Sequence, residues 1–237
     1  MQIKVAIENN MEGRSIAWLL DYPGCFAYGS EEAEALIRVP QALIAFKGWL
    51  EGYTNHSWLS DLGDFDIRLV ETFRAYKVDD RLQPDEKGDL EINAWFHYDW
   101  LPLTAEEMRR GLQVVEWAHN DLLEMTVGLS NDVLDRTYPD QRWSIRGIVE
   151  HVANAEWWYL SRLGLANGDS ASLPEEMNTR VQATLDNMHS AMPGTIGKEI
   201  VRGVAGEIWS PRKIIRRACW HALDHCQHIH QLITRPK

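Results

Sequence analysis

Between Trp209 and Leu232 the sequence reads WSPRKIIRRACWHALDHCQHIHQL, and four of the chain's nine histidines fall inside it, at positions 221, 225, 228 and 230. On a helix, Ile214, Ala218, His221, His225, His228 and Leu232 succeed one another by steps of four, three, four, three and four, the spacing of an inward seam. His221 and His225 are one turn apart, close enough to share a metal ion. A third imidazole, His151, falls in a seam of the same kind with Ile148, Ala155 and Trp158. A single core histidine readily finds a hydrogen-bond partner. A converging trio in an apolar interior does not, unless an ion takes its lone pairs. The pattern therefore predicts one divalent metal ion on His151, His221 and His225. Imidazole suits zinc, nickel, iron and copper alike, and zinc, nickel or iron is the expected occupant. Three neutral ligands leave a coordination position open, as a catalytic ion needs, whereas a structural zinc site is usually closed by four. A dication there would lower the pKa of a water or a thiol and supply a nucleophile at neutral pH.

The remaining candidates carry weaker signals. His228 shares the seam one turn deeper, as an alternative ligand or a support behind one. His119 fits an inward stripe with Leu112, Val115 and Leu122 and reads as a core histidine, while His56, His97, His189 and His230 read as surface or loop residues. Glu150 adjoins His151, but one residue turns a side chain by about 100° and aims it elsewhere. Asp224 lies nearer the seam, where it could orient His228 or a ligand. Trp157, Trp158, Tyr159 and Trp220 read as core or interface, and Cys226 as a small buried thiol. The cluster Arg212, Lys213, Arg216 and Arg217 reads as a solvated helix face whose stems cover apolar neighbours.

The elements that must position these residues follow from periodicity and punctuation. Thr104 and Glu107 form a T-x-x-E capping box, with Leu103 able to staple against Met108, and the pattern predicts helices over 104–129, 144–164, 174–191 and 210–233 joined by long connections at 130–143 and 192–209. WSIR opens the second of these and WSPR the fourth, each with Ser as N-cap, so the domain reads as two αα units of one plan. Upstream, residues 2–8, 14–20 and 25–28 read as strands. Ser30 with Glu31 and Glu32 starts a helix to about residue 50 that Pro40 must kink, and residues 66–74 and 90–98 read as strands again. The fold class is α+β, with an α+β domain over 1–103 and an all-α domain over 104–237.

Two resemblances attach to these segments. The hairpin followed by DYPGCFAYG and a Ser-Glu-Glu-capped helix, about residues 1–50, resembles the HicB-like fold known from antitoxins; the DNA-binding tail that those antitoxins often carry has no counterpart here. WSIRGIVEHVANAEWWYLSRL and WSPRKIIRRACWHALDHCQHI resemble the two signature helices of the DinB/YfiT-like family of metal-binding four-helix bundles, over essentially all of 104–237. That resemblance implies a divalent metal on one histidine of the second helix and an H-x-x-x-H pair on the fourth, which fall on His151, His221 and His225. It further implies thiol-transferase or thiol-dependent isomerase chemistry, so the expected partners are a small electrophilic substrate and a low-molecular-weight thiol. The alternative is a metal-stabilised binding or regulatory protein whose HicB-like domain contacts a protein partner.

Charge and cysteine usage bound these readings. The net charge of −11 is concentrated at the front, where residues 1–103 carry 9 Lys and Arg against 18 Asp and Glu. That is poor equipment for binding a phosphate backbone, so no nucleic-acid partner is expected. Three cysteines without a C-x-x-C pair argue against a disulfide framework or a cysteine zinc site. No signal peptide and no membrane-spanning run can be read, so the expected location is cytoplasmic without a membrane partner. The eleven tryptophans admit a homodimer through helix faces.

Overall fold

The structure, a computed structural model, describes residues 1–235. It is mixed α+β, with a sheet toward the N-terminus and helices toward the C-terminus. It divides into two compact units: Met1–Leu101 with Val201–Lys213, and Pro102–Ile200 with the chain from Ile214 onward. The second stretch of the first unit was expected to belong to the helical domain, and its hydrogen bonds explain where it lies.

In the first unit, β1 (Gln2–Met11) and β2 (Arg14–Leu19) form a hairpin. Glu12 and Gly13 turn its corner with φ of 51° and 78°, the left-handed region that glycine enters freely. β3 (Phe26–Gly29) pairs with β2, and β4 (Asp66–Arg74) runs parallel to β1, giving the order β3-β2-β1-β4. Between them α1 (Glu32–Tyr53) continues through Pro40 and buries Ala35, Val39, Leu43, Phe46 and Leu50, one face of the helix.

β5 (Tyr76–Val78) and β6 (Leu90–Ile92) pair as a short ribbon. The strand expected over 90–98 stops at Ile92 because the next amides are claimed by buried carboxylates. Asn93 N–H donates to Glu207 (2.6 Å) and Ala94 N–H to Glu8 (2.7 Å). Glu8, fully buried, also accepts from the Trp18 indole.

The connection expected at 192–209 contains a hairpin, β7 (Arg202–Val204) with β8 (Glu207–Trp209), turned by Ala205 and Gly206 at φ of 51° and 83°. Ser210 then donates to the Asp99 carbonyl, and Arg212 to the Leu101 carbonyl. These bonds hold 201–213 in the first unit.

The helical unit begins with α2 (Ala105–Glu124), started by the expected capping box: Glu107 N–H donates to Thr104 Oγ1, and Thr104 N–H to the Glu107 carboxylate. A single-turn α3 (Asn131–Leu134) precedes α4 (Ile145–Arg162), capped by Ser144. α5 (Met177–Ala191) is capped by Glu176, and α6 (Pro211–Ile233) by Ser210, which accepts from Lys213 N–H.

α4 packs on α5, and α5 on α2. α2 meets α6 at Gly111, where a Cβ would come 2.4 Å from the Ile215 side chain. The Cys219 thiol donates to the Gly111 carbonyl and the Cys226 thiol to the Ala118 carbonyl, so residue numbers rise together along this contact and the two helices run parallel.

The basic cluster at the start of α6 is not a solvated face. Arg212, Lys213, Arg216 and Arg217 are 8%, 0%, 5% and 8% exposed. The helix is covered on nearly every side from Trp209 to Ala222, and the cations are met by acceptors and rings. The Arg212 guanidinium lies over Tyr98 and that of Arg217 over Trp220. The Lys213 ammonium bonds the Glu207 carboxylate at 3.1 Å and lies 4.4 Å from the Trp209 ring. Among the described residues no helix is long and apolar enough to cross a membrane.

Candidate metal centre

α6 carries His221 and His225 on one face, both buried, and α4 carries His151, which is half-buried. Their Nε2 atoms converge. His221 Nε2 lies 3.1 Å from His151 Nε2 and 3.2 Å from His225 Nε2. The three rings stand nearly edge-on to one another, with interplanar angles of 71°, 88° and 89°. Ligand nitrogens about 2.0–2.1 Å from one tetrahedral ion are separated by about 3.3 Å, close to the two separations at His221, and all three ligand atoms lie within 4.8 Å of one another. These three histidines could hold a metal ion, and among the described residues no carboxylate or thiol joins the group.

Electrostatics favour the form that binds. Burial holds the His225 imidazole down at about 3, helped by the charges of His151 and His228. Burial also pushes His221 well below the usual histidine range, ahead of the neighbouring imidazoles and Arg217, and it lowers His151, with Arg142 adding to the effect. All three are neutral donors at pH 7.

Because the folded-state pKa values lie below the unfolded value of about 6.5, the stability gained by keeping these rings neutral is full above that pH and is lost as pH falls below it, for His225 down to about 3. The metal-free protein is expected to lose up to about 1.4 kcal/mol per pH unit below 6.5 for each of the two buried rings. Urea unfolding at pH 7.5, 6.5 and 5.5 reads this directly, and a flat profile would contradict the buried, neutral assignment.

The neighbours define the edges of the site. His151 stacks on Trp143 with ring centroids 4.1 Å apart, and the Arg142 guanidinium lies 4.6 Å from the same indole. His228 turns away from the trio, bonding Gln141 at 2.6 Å, while its ring stacks on His225. Asp224 acts on it by charge. The stripe expected on α4 is rotated: its buried residues are Ile145, Ile148, Val149, Val152, Ala153, Glu156, Tyr159 and Leu160. His151 thus sits at the rim, and Trp158 is 36% exposed under the Arg162 guanidinium. Cys226 is a buried thiol raised by desolvation, which makes it a poor nucleophile. His56, His97, His189 and His230 are exposed, as expected.

Sequence reasoning missed one constellation. His119 on α2 and Glu156 on α4 are 1% and 0% exposed and bond at 2.7 Å between Nε2 and Oε1. No motif links them. The only signal was a carboxylate within the buried stripe of α4, hidden because the stripe was assigned to the wrong face.

No family model and no solved structure matches the chain significantly. A protein of Oceanobacillus iheyensis named "Putative metal-dependent hydrolase" is 25% identical over 149 residues, covering 54% of this chain and 86% of that protein.

Proposed function

We propose that the chain is a divalent-metal-dependent enzyme of the DinB-like class, in which His151, His221 and His225 hold the ion and a small nucleophile takes the open position. The observation that carries this reading is the convergence of three imidazoles whose ligand atoms lie within 4.8 Å of one another, one of them at a solvent-facing rim. A zinc, nickel or iron ion there supplies an acidified water or thiol at neutral pH. The protein's own share is positioning. The i, i+4 pair on α6 fixes two donors in a dry interior, Trp143 fixes the ring plane of the third, and burial keeps all of them unprotonated. The name of the Oceanobacillus protein supports water as the nucleophile, whereas a low-molecular-weight thiol acting on a small electrophile is what the resemblance of the two signature helices to the DinB/YfiT-like family implies.

The test uses tag-free full-length protein loaded with zinc, nickel or iron. Activated esters and amides are offered in water, and an electrophile panel is offered with glutathione, bacillithiol or mycothiol. Metal-dependent turnover that is lost in His225→Ala supports the reading, and whether it requires thiol assigns the nucleophile. Wild-type protein that takes up none of the three metals would overturn it.

A further inference from the structure

If the Nε2 atom of each ligand faces the ion, its tautomer is set: Nδ1 carries the proton and must donate it. The Nδ1 atom of His221 is buried and has no hydrogen-bond partner in the structure. The same interior holds acceptors in the same condition. In the His119–Glu156 pair, Glu156 Oε2 and His119 Nδ1 are both buried and unbonded, although the pair's other atoms meet at 2.7 Å. An interior rarely leaves buried donors and acceptors unsatisfied.

Helix register brings them to one level. α4 and α6 run antiparallel at the site, since Trp143 meets His225 while Tyr159, sixteen residues on, meets His221. Glu156 lies between His151 and Tyr159, the two α4 residues whose rings contact His221. At about 100° per residue, it is turned further inward than either. On the other side, α2 runs parallel to α6 with Gly111 beside Cys219 and Ala118 beside Cys226, which sets His119 at the His225 end of the trio. The charge of His119 is felt at His221, and that of Glu156 at Cys219.

We propose that the His119–Glu156 pair is the outer hydrogen-bonding support of the metal centre, taking up the Nδ1–H of His221 when the ion is bound, directly or through one water. The proposal rests on the trio being the metal ligands. The pair's role is one of positioning. His119 gives its Nε2–H to the carboxylate and presents Nδ1 as an acceptor, or the carboxylate presents its second oxygen. Either way the acceptor draws on the His221 proton and makes Nε2 a better donor to the ion.

The experiment is zinc competition against a chromogenic chelator with the full chain, comparing wild type, Glu156→Gln, Glu156→Asp and His119→Phe. Glu156→Gln and His119→Phe are expected to bind zinc about 10–100-fold more weakly, with partial recovery in Glu156→Asp. Should the variants fail to fold, histidine-selective ¹⁵N spectra of zinc-loaded wild type serve in their place. The His221 Nδ1–H should then be shifted to low field and exchange slowly with solvent. Folded variants that bind zinc as wild type does, or a His221 Nδ1–H that is unshifted and exchanges rapidly, would overturn the proposal while leaving the three-histidine reading intact. Wild type that binds no zinc would instead fail that reading, and the proposal with it.

Discussion

His221→Ala protein is expected to leave purification without metal, whereas wild type prepared without a histidine tag is expected to carry close to one ion per chain. His221 is the shared corner of the site, in contact with both other ligand nitrogens. Apparent binding of a structural zinc is about 10–16 kcal/mol over four ligands, so removing one donor should cost about 3 kcal/mol, a hundredfold or more in affinity. The fold should survive in the metal-free state, because alanine also removes a buried ring that has to be kept neutral. Elemental analysis with circular dichroism separates these effects. A folded His221→Ala protein with its full complement of metal would place the ion elsewhere.

A larger loss of stability is expected at the start of the same helix. Lys213 is fully buried, and its ammonium meets the Glu207 carboxylate, which also accepts from Asn93 N–H. Glu207→Ala strands that charge among the rings of Trp209 and Trp95. Breaking a buried ion pair by removing one partner typically costs about 3–5 kcal/mol, whereas replacing both with apolar residues is often neutral. Urea denaturation should therefore show a sharply lowered midpoint for Glu207→Ala and substantial recovery in Glu207→Leu/Lys213→Met. A single variant as stable as wild type would mean that the pair contributes nothing to the fold.

What could be read in advance was local in sequence. The capping box at Thr104, the serines that open α4 and α6, and the four-residue step between His221 and His225 are one-turn patterns, and the structure shows each of them. What escaped depended on distant partners. The basic run at 212–217 looks solvated by composition, and only the arrival of Glu207, Tyr98 and Trp220 makes its burial tolerable. The hairpin at 202–209 had turn residues in Ala205 and Gly206, but strands of three residues give no periodicity to detect. On α4, the seam drawn by spacing through Ile148, His151, Ala155 and Trp158 was rotated from the buried face. The rim position of that tryptophan displaced Glu156 from the expected core and hid its pairing with His119.

The stack of Trp143 on His151 bears on how long an ion would stay. Two of the three histidines are buried, so on the proposed reading a departing ion would be released first by the ring at the rim, which is stacked on an indole. The interior pair would then supply two fixed donors, while the unstacking of one aromatic ring would limit how often the ion can be exchanged.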